Sequence, residues 1–405
     1  MTCEVAVMNR RGIALAADCA VTLGESEKIY HSAEKLFPLS LEAPVGIMTY
    51  GAADFMGVPW ETIIKIYGQK LGGRRFETLE QYAQDFFHFI AGAEQLSPQS
   101  AQRAEIRSFV NDVWQDLYLE PLKKKLAGRS KAATSDANKI LEELIHEDHK
   151  LWKKHPIIEE LGPAYGDHVV ETYRDVLDEL QQKMFGFFKL SRDVRQALKA
   201  TVRLMHTSVP SDGSGVVVAG MGESDLFPIL VHYRVGSIAA GKLRYAKVDD
   251  MRVTRDDDAM VAPFAQRETI DMIIGGIFPE LEKKVVETNA RCLPEKSQIV
   301  GGKRSQARIQ NAGSDFRKAV KNEIQEKYAQ PFMAAVAALP RHDLAAMAEA
   351  LVNLTKFRAR MSVTQKETVG GPIDIAVLSK GEGFVWVKRK DSVWGTGSQT
   401  TVEVL

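Results

Sequence analysis

Residues 4–18 read Glu4-Val5-Ala6-Val7-Met8, Asn9-Arg10-Arg11-Gly12, Ile13-Ala14-Leu15-Ala16-Ala17-Asp18, two apolar runs around a polar turn that ends in glycine. The pattern predicts a β-hairpin. Its second run is apolar on both faces, which predicts a strand covered by layers above and below. Lys35 precedes a short apolar run, Leu36-Phe37-Pro38-Leu39, expected as a third strand beside those two. Pro44-Val45-Gly46-Ile47-Met48-Thr49-Tyr50 predicts a further buried strand, stopping at the small-residue turn Gly51-Ala52-Ala53-Asp54 that leads into a helix.

Beyond this stretch the period changes. From about Trp60 to Met205 apolar residues recur at helical spacing, as in Phe86, Phe89, Ile90 and in Phe109, Val113, Leu117. Breaks fall at Gly72-Gly73, Ser97-Pro98, Gly128-Arg129-Ser130 and Leu161-Gly162-Pro163. No fixed repeat length emerges, so 60–206 reads as a helical insertion rather than a repeat array. Strands are predicted again over 215–219, 227–235 and 241–245, and helices over 264–288 and 342–360. Between those helices Gly301-Gly302-Lys303-Arg304-Ser305-Gln306 has the composition of a loop. A closing hairpin is predicted over 373–378 and 383–388. The order predicts an α/β (α+β) fold: one domain over 1–405, a four-layer αββα sandwich with strand-rich core segments 1–58, 209–300 and 340–405 and an extended helical insertion.

Composition narrows the function. Lys plus Arg number 53 and Asp plus Glu also 53, so the chain has no net charge and no basic footprint for nucleic acid. Cys3, Cys19 and Cys292 are the only cysteines and none is spaced as CxxC, which argues against a disulfide framework or a cysteine zinc site and for a reducing cytoplasm. No export signal or membrane-spanning stretch is expected. His146-Glu147-Asp148-His149 lacks the spacing of a zinc-binding HExxH helix and, with Lys150, Lys153 and Lys154 beside it, reads as a solvated helix face. Gly220-Met221-Gly222-Glu223-Ser224 lacks the later Gly and Lys of a phosphate loop and reads as a turn between strands. Ser214 has no GxSxG around it.

The residue that suggests chemistry is Thr2. Excision of Met1 would place a hydroxyl and a free α-amine on one residue, nucleophile and base together, and an ordinary α-amine titrates at about 7.7–8.0, suited to accept the hydroxyl proton. A cation nearby would hold that amine's pKa down and a carboxylate would hold the cation. Lys35 and Asp18, the latter ending the second strand, are the candidates. Backbone N–H groups around Gly51, where no Cβ blocks close approach, are candidates for an oxyanion hole.

Taken together, Thr2, Gly12-Ile13-Ala14-Leu15-Ala16-Ala17-Asp18, Ser32-Ala33-Glu34-Lys35-Leu36 and Tyr50-Gly51-Ala52-Ala53-Asp54 resemble, in order and approximate spacing, the opening of proteasome β-type subunits and the bacterial HslV peptidase, N-terminal-nucleophile (Ntn) hydrolases. Val369-Gly370-Gly371-Pro372-Ile373-Asp374 is similar to a late turn and strand of those subunits. The resemblance implies a divergent, threonine-type hydrolase of peptide bonds with Thr2 as nucleophile, Asp18 and Lys35 as charge partners and Gly51 at the oxyanion. It implies no cofactor and no metal, and homo-oligomers; it leaves an ATPase partner open. The chain departs from the pattern at Tyr50, where a glycine is usual, and at Val261-Ala262-Pro263-Phe264-Ala265-Gln266, where a Gly-Ser-Gly turn is usual and Gln266 is the candidate replacement. The alternatives are a catalytically silent scaffold whose helical insertion binds a partner, and an amidase acting on non-peptide substrates.

Overall fold

The structure, a computed structural model, describes residues 3–23, 28–30, 33–40, 42–127, 134–211, 213–297, 315–362 and 369–390. Its strands, in chain order, are β1 (Cys3–Asn9), β2 (Gly12–Asp18), β3 (Val21–Leu23), β4 (Lys28–Tyr30), β5 (Leu36–Pro38), β6 (Val45–Tyr50), β7 (Asp54–Phe55), β8 (Val58–Pro59), β9 (Ser214–Gly220), β10 (Ile229–Ala239), β11 (Lys242–Arg252), β12 (Ala259–Ala265), β13 (Ile373–Ser379) and β14 (Gly383–Lys388). Among the described residues these strands pair antiparallel, β1 with β2 and β12, β2 with β13, β13 with β14, β3 with β4, β5 with β6, β7 with β8 and β9 with β10. The chain divides into two compact units, the first from residues up to 48, 226–228 and 252 onward, the second from 49–225 and 229–251.

The first unit is built on a sheet of order β12-β1-β2-β13-β14. The predicted hairpin is its centre: Glu4 pairs with Ala17 and Asn9 with Gly12, leaving Arg10-Arg11 as the turn. Every residue of β1 and β2 is buried, as a strand apolar on both faces requires. One face takes helices Gln330–Ala338 and Arg341–Met361, whose small residues Ala345 and Ala348 let Cys3, Val5, Val7, Ala14 and Ala16 approach closely. The Asn9 amide donates to the carbonyls of Val336 at 3.0 Å and Leu339 at 2.9 Å, tying β1 to the C-terminal end of that first helix, where Val336 also accepts the Leu339 N–H. On the other face Gly46 of β6 has no room for a side chain, since a Cβ there would stand 3.0 Å from Phe384 and 3.2 Å from Leu15.

The second unit carries the ladder β9-β10-β11 and helices between Trp60 and Thr207. Helix Leu79–Gly92 lies on β9 and β10, with Phe87 stacked on Tyr245 at 4.4 Å between ring centroids. Helices from Gln99 to Thr207 enclose a separate core around Trp114, Tyr118, Leu141, Phe185 and Leu198. In helix Thr134–Trp152 the expected solvated face is partly packed: Asp148 accepts the Tyr118 hydroxyl at 2.6 Å, and His149 Nδ1 stands 3.2 Å from Thr201 Oγ1. The Gly220–Ser224 stretch lies between β9 and β10, a connection rather than a helix start.

Two sequence expectations need correction. Leu36–Pro38 does not join the first two strands; it pairs with β6, Leu36 opposite Met48 and Phe37 opposite Ile47. Residues 259–265, expected to turn into a helix at Phe264, form β12 and pair with β1, Cys3 opposite Ala265 and Asn9 opposite Ala259. Pro263 lacks a donor, which reads as a break in sequence, yet β12 is the sheet's edge and there a missing N–H costs little. Helix begins only at Glu268. The Gly301–Gln306 loop lies outside the described residues.

Candidate active site

Asp18 is the last residue of β2 and is fully buried. A buried carboxylate must be neutralised or saturated with donors, and this one is saturated. Oδ1 accepts the backbone N–H of Cys3 at 3.1 Å and the Lys35 Nζ at 2.9 Å; Oδ2 accepts the backbone N–H of Gly370 at 3.0 Å. The third donor is delivered by sheet register: Asp18 stands opposite Ile373 on β13, so the turn preceding that strand reaches the carboxylate.

Lys35 is only 6% exposed. Besides Asp18 its ammonium donates to the carbonyl of Ala20 at 2.6 Å. Burying an ion pair often costs more than its attraction returns, so such a pair is weak evidence for stability and is the kind of feature that sites retain for chemistry.

A second carboxyl lies in the same cluster. Glu4, the second residue of β1, is fully buried, and among the described residues neither of its oxygens has a hydrogen-bond partner. Burial pushes its pKa well above the usual carboxylate range; Lys35 opposes that rise and Asp18 adds to it. Sequence reasoning passed over Glu4 as part of a strand, although a charged residue heading an apolar run was a readable signal.

The thiols nearby are inert. Burial pushes both Cys3 and Cys19 up to about 12, so neither is a thiolate near neutrality.

The four sequence candidates therefore fare differently. Asp18 and Lys35 meet. Thr2 lies outside the described residues, though the backbone N–H of its neighbour Cys3 rests on Asp18. Gly51 belongs to the second unit, where its φ of +90° and a distance of 3.0 Å from a Cβ to the Gly213 carbonyl oxygen both require glycine. Tyr50 donates to or accepts from His232 Nε2 at 2.8 Å in that unit. A cavity of about 520 Å³ there, lined by Phe109, Trp152, Met205 and Arg244 among others, includes none of Asp18, Lys35 and Gly51. Among the described residues no three His, Cys, Asp or Glu side chains are grouped to hold a metal ion, and no helix is long and apolar enough to cross a membrane.

No protein-family model and no curated protein matches the sequence. Solved structures do. Anbu (ancestral beta-subunit) from Yersinia bercovieri is similar at 12% identity and a TM-score of 0.31, with 96% of this chain and 87% of that chain covered. Anbu from Hyphomicrobium sp. strain MC1 is similar at 8% identity and 0.31, covering 96% and 86%, and the helical assembly of the Anbu complex from Pseudomonas aeruginosa at 10% and 0.30, covering 96% and 88%. These are Anbu proteins, proteasome-like but distinct from the proteasome β-type subunits and HslV peptidase expected from residues 2–54, and that expectation is corrected. The pieces that carried it are a strand-ending Asp, a Lys and a Gly turn, residues that local hairpin geometry favours without separating one such family from another. At these scores the solved structures do not place the chain in a family either.

Proposed function

We propose that the chain hydrolyses amide bonds, most readily those of peptides, with Thr2 as nucleophile after removal of Met1. The observation that supports this reading is the buried Asp18–Lys35 pair, whose carboxylate takes the backbone N–H of Cys3, the residue that follows Thr2. Positive charge on Lys35 disfavours a second one on the Thr2 α-amine and so keeps that amine able to accept a proton. The Thr2 hydroxyl gives its proton to the amine and its oxygen bonds to the substrate's carbonyl carbon. The carbonyl electron pair moves onto oxygen, and it returns as the C–N bond breaks and the leaving amine takes the proton. Water then adds to the acyl ester, passing its proton by the same amine, and frees the acid.

A four-layer αββα sandwich of one domain is part of the same reading. It is supported in the first unit by helices, sheet and the β5–β6 hairpin stacked in that order, and in the second by helix Leu79–Gly92 on its ladder. Self-association, to be measured by light scattering, and a cytoplasmic setting, supported by the free buried thiols of Cys3 and Cys19, complete it.

The experiment is treatment with an electrophile that labels hydroxyl nucleophiles, followed by peptide mapping, in parallel with hydrolysis of a panel of fluorogenic peptide amides. We expect an adduct on Thr2 and none in Thr2→Ala, which also loses hydrolysis. Hydrolysis retained by Thr2→Ala overturns the mechanism; an intact Met1 with no adduct points instead to a silent scaffold.

A further inference from the structure

Among the described residues Lys35, Asp18 and Glu4 act on one another, all inside the first unit. Lys35 spends its ammonium on Asp18 Oδ1 and the Ala20 carbonyl. Asp18 is saturated by Lys35, Cys3 and Gly370. Glu4 is left over, fully buried with both oxygens unpartnered among the described residues. Lys35 and Asp18 are the charged groups that act on it, Cys3 is the titratable neighbour on its own strand, and the residues opposite, Ala17 on β2 and Phe264 on β12, carry no charge. Among the described residues an ionised carboxylate in that position has no donor to replace water, and it would face the Asp18 carboxylate; a neutral acid avoids both costs.

We propose that Glu4 is a positioning residue for the Asp18–Lys35 pair, held as a neutral acid so that it does not compete with Asp18 for Lys35, and that its ionisation draws Lys35 away from Asp18. Glu4 acts through Lys35 and touches no substrate. The inference rests on the threonine reading for its effect on hydrolysis, but its electrostatic core stands apart from that reading. When base removes the Glu4 proton to water, two carboxylates compete for one ammonium and the Asp18–Lys35 geometry loosens. Hydrolysis should therefore fall on the alkaline side for a reason unconnected with the nucleophile.

Glu4→Gln keeps the shape and removes the charge. Because the native state holds the Glu4 proton to higher pH than the unfolded chain, wild-type stability is full below the ordinary Glu range and is lost as pH rises through the native value. The full-length wild type and Glu4→Gln are compared by thermal unfolding across pH, by the amide proton resonance of Gly370, which donates to Asp18 Oδ2, and by the pH profile of peptide-amide hydrolysis. We expect the Tm of the variant to gain on wild type as pH rises, the Gly370 resonance to titrate in wild type and stay flat in the variant, and the alkaline limb to shift by about one pH unit or more, about tenfold in rate at its steepest. Parallel Tm curves, or a Gly370 resonance that titrates alike in both proteins, overturn the proposal. If neither protein hydrolyses amides at any pH, the threonine reading fails alone, and Tm and Gly370 still decide the role of Glu4.

Discussion

The core of the first unit and the helical core of the second handle polarity in opposite ways. In the helices from Gln99 to Thr207 the ion pairs stand outside, Arg103 with Asp175 and Arg107 with Glu179, while Trp114, Phe185 and Leu198 fill the interior. In the first unit the ionisable groups are inside: Glu4 in β1, Asp18 at the end of β2 and Lys35 just before β5 are all buried. Stability alone explains the first arrangement. It does not explain the second, because each buried charge carries a desolvation cost that an apolar residue would avoid. Polarity kept where folding does not need it marks the part of the molecule that does something else.

The contrast can be broken most forcefully at Asp18. Asp18→Ala removes the carboxylate that faces the buried Lys35 ammonium, and urea unfolding should register a loss of about 3–5 kcal/mol. A loss near zero would mean that water reaches the pair and that the two regions differ less than the burial implies. The next largest effect belongs to the hydroxyl–carboxylate contact between Tyr118 and Asp148 in the helical core. Tyr118→Phe removes the donor 2.6 Å from Asp148 and should cost about 1–3 kcal/mol, with the half-buried Asp148 carboxyl, already raised by desolvation, rising further.

At neutral pH a third effect vanishes and appears only on acidification. His206 in the helical core is fully buried beside Arg244, and burial lowers its pKa from 6.5 to about 3. The unfolded chain binds its proton first, so stability is full above about 6.5 and is lost as pH falls toward 3, the opposite sense to Glu4. Urea midpoints for His206→Gln should fall less steeply over that window than those of wild type. The smallest expected effect sharpens the comparison by its absence: Arg107→Ala, at an exposed pair with Glu179, should leave the urea midpoint unchanged within error.

What could be read from the sequence follows the distance over which each feature is decided. The hairpin of residues 4–18 was legible because alternation, turn and apolar run all sit within fifteen residues. The closing hairpin of β13 and β14 was legible for the same reason. The partner of Leu36–Pro38 was not, because a short apolar run carries no record of which strand it will meet. At the site, Asp18 and Lys35 could be named from their places at strand ends. The Gly370 amide that completes the carboxylate's shell comes from a turn 352 residues away and is visible only once β13 lies beside β2. Glu4 was written plainly in β1, but its meaning depends on the missing partners, which only the packed structure reveals.

The strand order of the first unit sets a schedule for the ribosome. β1 and β2 leave it early, yet β1 finds its outer neighbour only when residues 259–265 are made, and β2 finds β13 only after residue 379. Until those segments are made the hairpin carries two open, largely apolar edges, the profile of a strand pair that sticks to other chains. A nascent chain of this kind needs shelter over that interval, and delaying residues 259–379 should harm yield more than slowing residues 60–206.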